Sequence, residues 1–219
     1  MPKAWVVREL GTPDKLRFEN VEAGISGDEL VRIRIRASAV NFFDLLQIAG
    51  TYQVKPDLPF IPGAEVAGEV EAAPPDSGFK PGDRVLATVT QEGLHNGGYT
   101  EGTQAHPNAV VKIPDVMSFV EGAAFFINYQ TGWFGLHRRA KLQPGEVVLV
   151  HGGAGGVGTA AIQLAWRSGP TSAIKSAAAS TARAIVVRRA VSWNPNRSAV
   201  GWLTLTVMVC LTPGVYGTA

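Results

Sequence analysis

The 219-residue chain is 46% apolar and 17% charged, the proportions of a folded globular protein able to bury a sizeable core. A formal net charge of +2, with the basic residues dispersed, gives no electrostatic case for a nucleic-acid partner. A single cysteine, Cys210, excludes an internal disulfide framework and fits a reducing cytoplasm, and the opening MPKAWVVREL shows neither the apolar stretch nor the small-residue cleavage site of a secretory leader. A cytoplasmic location is therefore expected.

In chain order, KAWVVREL and LRFEN read as short strands. ELVRIRIRASAV (29–40) alternates Val31, Ile33 and Ile35 with Arg32, Arg34 and Arg36, the two-residue period of a half-buried antiparallel strand. NFFDLLQIAG (41–50) changes to helical spacing, which predicts that Phe42, Leu45, Leu46 and Ala49 share a face and that Gly50 stops the helix. AEVAGEVEAA and DRVLATV predict two more strands around the turn-forming PPDSGFKPGD, and GGYTEGTQAHPNAVVKIP adds a further short pair. The first 115 or so residues thus predict a strand-rich module of barrel or sandwich type.

At Ser118 the pattern changes. SFVE is a capping box, with Ser118 and Glu121 each meeting an unpaired amide of the helix start, and helices are expected near 119–127 and 129–140. After QPGE, the all-apolar VVLVHG predicts a buried parallel strand, and beyond the next loop Val157, Ala161, Leu164 and Ala165 fall on one helical face.

That loop is the most informative stretch of the chain. In VVLVHGGAGGVG, Gly153, Gly155 and Gly158 match G-x-G-x-x-G between a strand and a helix. Glycines there permit a tight turn, close approach of backbone to a pyrophosphate and close packing of helix on strand, while the helix start offers amides and partial positive charge to phosphate. The plainer reading is a glycine-rich turn in an α/β domain. About 20 positions on, an acidic residue would hold the ribose hydroxyls or a basic one a 2′-phosphate; no acid is present, Lys175 and Arg183 are available, and no second strand is evident beside them.

The stretches AVNFFDLLQIAGTY (39–52), PFIPGAEVAGEV (59–70), KPGDRV (80–85), GGYTE (97–101), YQTGW (129–133) and VLVHGGAGGVG (148–158) occur in the order and spacing of one family. Over residues 1 to about 168 the chain resembles the zinc-independent quinone oxidoreductase branch of the medium-chain dehydrogenase/reductase superfamily. The resemblance implies an α/β protein: an N-terminal GroES-like, β-rich catalytic domain over 1–117, then linking helices and the first strand–loop–helix unit of an incomplete Rossmann domain over 118–168. It implies NADPH held in the cleft between domains and a quinone or α,β-unsaturated carbonyl compound as substrate. By the same resemblance Asn41 and Tyr52 face the nicotinamide end, Tyr52 able to donate to the substrate oxygen. Thr131 lies against the cofactor, and Gly153, Gly155, Gly156, Val157 and Gly158 cradle the phosphates.

Zinc-dependent relatives place a cysteine at Asn41, a histidine at Ala64 and a third ligand near Ile127, so no metal site is expected. Each site residue also has a structural reading. Tyr52 can end a loop with its ring half buried; Asn41 can serve as the cap of the helix after it; Asp44 can be a first-turn charge; Glu65 can pair with a neighbouring arginine. His95, His106 and His137 form no set by spacing, and His151 is expected to be buried and hydrogen-bonded.

All 18 acidic residues lie at or before Glu146 and the last 73 residues contain none, where the earlier density predicts about nine. Arg167, Lys175, Arg183, Arg188, Arg189 and Arg197 continue the basic residues. From AWRSGP onward the family pattern stops, and 169–219 reads as a frame-shifted or otherwise non-homologous, poorly ordered tail, or as a variable C-terminal extension. Residues 198–219 are free of charge, but their threonines, glycines and Pro213 argue against a membrane span. The strand at 147–150 is expected to lack parallel partners, which would impair NADPH binding and turnover; the alternative function is a non-catalytic binding or dimerising module.

Overall fold

The computed structural model describes residues 1–22, 28–89, 96–144, 146–168, 173–177 and 207–210. It divides into two units, Met1–Ile127 and Asn128–Ala219.

In the first unit, β1 (Lys3–Val6) and β2 (Arg17–Asn20) pair antiparallel, with Trp5 opposite Phe18 and their rings 5.0 Å apart. The alternation read in 29–40 becomes β3 (Val31–Ser38): Val31 and Ile33 point into the core while Arg34 and Arg36 reach Glu71 and Glu69 of the neighbouring strand at 2.9 and 2.7 Å. These exposed pairs contribute little stability; burial of the aliphatic face contributes far more. A register shift between Ile35 and Ala37 leaves Arg36 as the extra residue of a bulge. Such a bulge re-aims the chain that follows, which here is the approach to Asn41.

In the next element, α1 (Phe42–Ile48), Phe42, Leu45, Leu46 and Ala49 do share a side, but none of them is buried. The buried residues of the helix are Asp44, Gln47 and Ile48, whereas Phe42 is 68% and Leu45 40% exposed. Hydrophobic spacing alone turns the helix the wrong way, because a polar side chain can be buried when it finds hydrogen-bond partners, and Asp44 has them.

β4 (Glu65–Ala72), β5 (Arg84–Thr88), β6 (Gly102–Ala105) and β7 (Val110–Lys112) complete a five-stranded antiparallel sheet in the order β6-β3-β4-β5-β7. The expected short pair β6 and β7 therefore sits at opposite edges rather than together. One face of the sheet carries Val31, Ile33, Val66, Val70, Val85 and Ala87. On the other, Ala67 and Leu86 pack with Ile113 against Ala123 of α2 (Phe119–Ala123). The capping box forms as read: Glu121 N–H donates to Ser118 Oγ at 3.2 Å and Ser118 N–H to Glu121 Oε2 at 2.8 Å. The helices expected at 119–127 and 129–140 are cut differently, as α2, α3 (Phe126–Trp133) and a π-helical turn over Phe134–Arg139.

In the second unit, β8 (Val147–His151) leads through a glycine loop into α4 (Gly156–Arg167). Ala161 and Ala165 of α4 pack with Val148, Val150, Leu136 and Leu142. Contrary to expectation, β8 has partners: β9 (Ala173–Ala177) lies parallel and β10 (Val207–Cys210) antiparallel, in the order β10-β8-β9. β8, α4 and β9 thus form a strand–helix–strand crossover. The sequence hid β9 because SAIKSAAAS offers only Ile174 as a β-branched residue among alanines and serines; the apolar edge of β8 supplies what local propensity lacks. Apart from these two strands, the reading of 169–219 as a non-homologous tail lies outside the described residues, as do His95 and Arg183. Among the described residues no helix is long and apolar enough to cross a membrane.

Candidate active site

The first unit gathers its polar site around the start of α1. Asn41 is the N-cap, in extended backbone, and its own N–H donates to Asp44 Oδ2 at 2.7 Å, the reciprocal half of a capping box. Asp44 is fully buried and also accepts from the Tyr99 hydroxyl at 3.1 Å. Burial, and then the negative Asp44 carboxylate, push the Tyr99 phenol above its ordinary range, so it stays a donor.

Glu65, first residue of β4, is fully buried as well. The expectation that it pairs with an arginine is wrong. Its Oε1 accepts from Ile127 N–H at 2.9 Å, and its Oε2 faces Asn41 Nδ2 at 3.4 Å. Burial pushes this carboxyl above the ordinary glutamate range, against the opposing bonds from Ile127, Asn41 and Phe126, and neighbouring Asp44 adds to the rise. The first-turn amides of α3 thus receive a carboxylate from a distant strand, where helix-end polarity favours negative charge.

Tyr52 is half buried, its ring 5.5 Å from that of Phe43. Asn41, Asp44, Glu65 and Tyr99 are brought together in one network; Tyr52 is tied to α1 through Phe43 and by its N–H to Leu46 O at 3.1 Å. Sequence reasoning missed Tyr99 and the burial of Asp44. The available signal was a polar pair, Asp44 and Gln47, at helical spacing inside an otherwise apolar segment.

In the second unit the loop between β8 and α4 is closed to side chains at several of its glycines. Gly152 adopts φ +66°, a conformation side chains resist. Gly155 is the N-cap of α4 without a capping side chain, and its N–H closes the turn on Gly152 O at 2.9 Å. At Gly158 a Cβ would stand 2.9 Å from the Gly152 carbonyl carbon and from Gly153 Cα, and closer still to the Gly152 oxygen, so only glycine fits. At Gly156 a Cβ would meet the Asn128 side-chain oxygen at 2.7 Å, which places Asn128 against the loop, another residue the sequence did not single out. Thr131 lies half buried in α3. His151, at the end of β8 and paired with Ala177 of β9, is half buried rather than buried, and its side chain takes no hydrogen bond among the described residues. The glycines and first-turn amides of α4 fit a dinucleotide's diphosphate in room and polarity.

A strand-rich module with this sheet order, followed by a strand–glycine loop–helix unit, defines the class of an alcohol-dehydrogenase-type N-terminal domain joined to the beginning of a nucleotide-binding domain. Residues 27–115 match the alcohol dehydrogenase GroES-like domain. Over 168 residues, 74% of this chain, the sequence is 40% identical to the quinone oxidoreductase-like protein 2 homolog of Nematostella vectensis, covering 44% of that protein. A probable oxidoreductase from Mycobacterium abscessus superposes with a TM-score of 0.72 at 39% identity, over 80% of this chain and 54% of that one. The quinone oxidoreductase of Thermus thermophilus, solved also as its complex with NADPH, gives 0.67 at 35% identity, over 80% and 53%. The chain thus carries an alcohol dehydrogenase GroES-like domain and, over about three-quarters of its length, is similar to quinone oxidoreductases. It spans about half the length of the quinone oxidoreductases it matches.

Proposed function

We propose that this chain is an NADPH-dependent oxidoreductase of quinone reductase type, working without a metal on quinones or α,β-unsaturated carbonyl compounds. The observation that carries the reading is the glycine loop at the end of β8, closed to any side chain at Gly158 and opening onto the first-turn amides of α4. Gly153, Gly155, Gly156, Val157 and Gly158 hold the diphosphate through backbone amides. When bound, the nicotinamide supplies a hydride to an electron-poor carbon.

The chain's own residues bind and orient. The Thr131 hydroxyl bonds the carboxamide or ribose, and Asn41 orients the nicotinamide end. The Tyr52 phenol donates to the substrate carbonyl oxygen and stabilises negative charge there. The exposed Phe42 and Leu45, on the helix that Asn41 caps, supply an apolar surface suited to a flat quinone ring.

In NADPH the adenosine ribose carries a 2′-phosphate, which a basic rather than an acidic group holds, and no Asp or Glu follows Glu146 to oppose it. The test is NADPH oxidation with 1,4-benzoquinone as acceptor, by the wild-type chain and by Tyr52→Phe. Enzyme-dependent oxidation that Tyr52→Phe slows at unchanged NADPH affinity supports the proposal; no oxidation above the protein-free rate refutes it.

A further inference from the structure

We infer that Glu65 is a positioning residue, whose buried carboxyl turns the side-chain amide of Asn41 so that its nitrogen faces inward. The inference rests on the reading of Asn41 as part of the NADPH site, and three observations on β4 and α1 carry it.

First, Glu65 is fully buried yet meets only donors among the described residues: the amides of Ile127 and Phe126, and Asn41 Nδ2 at 3.4 Å. A carboxylate can only accept, so it selects the nitrogen end of the asparagine amide; a neutral partner offering both a donor and an acceptor cannot make that choice. Second, Glu65 is itself fixed. Its Oε1 is held by Ile127 N–H at 2.9 Å, and its backbone oxygen accepts from Ala39 N–H at 3.0 Å, two residues before Asn41. Third, the Asn41 backbone is pinned from the other side by Asp44, itself held by Tyr99. Main chain and side chain of Asn41 are therefore set by two different buried carboxyl groups. Asp44 fixes where the residue stands, the Asp44 backbone amide facing the Asn41 side chain, and Glu65 takes the nitrogen end of that side-chain amide.

Glu65→Gln is the appropriate variant. It has nearly the same shape and keeps an acceptor for the Ile127 amide, but its other end is then an NH2 donor facing Asn41, which reverses the selection. Two readouts are needed on the full 219-residue chain: the 1H–15N signals and exchange rates of the Asn41 side-chain amide, and the NADPH dissociation constant. In the wild type the Asn41 amide protons should exchange more slowly than those of the exposed Asn108. In Glu65→Gln that protection should be lost and NADPH affinity should fall about tenfold. Asn41→Ala should show a similar fall, and the double variant little more, since residues acting as one unit are not additive.

If the wild type binds NADPH and Glu65→Gln binds it equally well, the inference is overturned. A wild-type chain that does not bind NADPH refutes the cofactor reading, and the Asn41 signal then decides: protection unchanged in Glu65→Gln overturns the inference, its loss supports it. Should Glu65→Gln not fold, wild-type Asn41 exchange as fast as that of Asn108 is sufficient to overturn it.

Discussion

Replacing Gly158 with alanine puts a methyl group where the backbone of the loop already lies. The new Cβ would be 2.9 Å from both the Gly152 carbonyl carbon and Gly153 Cα, where real Cβ atoms essentially never come under 3.0 Å. An optimal carbon–carbon contact lies at about 3.5–4.0 Å, so the loop must retreat by roughly 0.6–1.1 Å. Overpacking of this kind costs about 1–3 kcal/mol, which lowers the melting temperature by about 2–4 °C per kcal/mol in a chain of this size. If bound NADPH requires the original loop, the same 1–3 kcal/mol weakens Kd by about 5- to 150-fold. Gly155→Ala is the internal control. There a Cβ meets Gly152 O at an ordinary 3.4 Å with φ at −78°, and only the weaker N-cap preference of alanine is lost, under about 1 kcal/mol. Thermal unfolding and NADPH titration of both variants give the comparison. Equal effects of Gly158→Ala and Gly155→Ala, or a Gly158→Ala chain binding NADPH as well as wild type, would refute the close-packed loop.

Further outcomes follow from the buried network and the exposed helix face. Tyr99→Phe removes a hydrogen bond to the buried Asp44 carboxyl, and should lower stability by about 1.5–3 kcal/mol, seen as a lower urea midpoint at unchanged slope; an unchanged midpoint contradicts the bond. The native Glu65 carboxyl titrates above its unfolded value, so its contribution is fully present below about pH 4.3 and is lost as pH rises through the native value. The stability of wild type relative to Glu65→Gln should therefore decline with rising pH in that window, and a constant difference contradicts the assignment. Phe42→Ser, on an exposed face, should change stability by no more than about 0.5 kcal/mol while raising KM for an apolar quinone; a large stability loss would show that the face is covered.

The elements that were legible in the sequence are those in which local pattern and tertiary environment agree. The Val31–Ile33–Ile35 alternation, the Ser118–Glu121 capping box and the strand–glycine loop–helix unit each state their structure within a dozen residues. The orientation of α1 was not legible, because Asp44 and Gln47 are buried and Asp44 is held there by Tyr99, 55 residues away. Glu65 was visible as an acid in a strand, but its partners Ile127 and Asn41 come from separate elements and no spacing rule joins them. β9 was hidden for the opposite reason: its alanines and serines carry no strand signal, and pairing with β8 alone defines it. The strand–glycine loop–helix unit, a local motif, was readable; the network around Asn41, a long-range one, was not.

The most direct test of the account is the melting temperature of the 219-residue chain with increasing NADPH. A ligand that binds only the native state at a concentration of 100 Kd stabilises it by about 2.7 kcal/mol, or about 5–11 °C here. The account predicts a rise with NADPH concentration in the wild type, smaller in Gly158→Ala at each concentration. A wild-type chain that melts cooperatively at the same temperature with and without millimolar NADPH would contradict it.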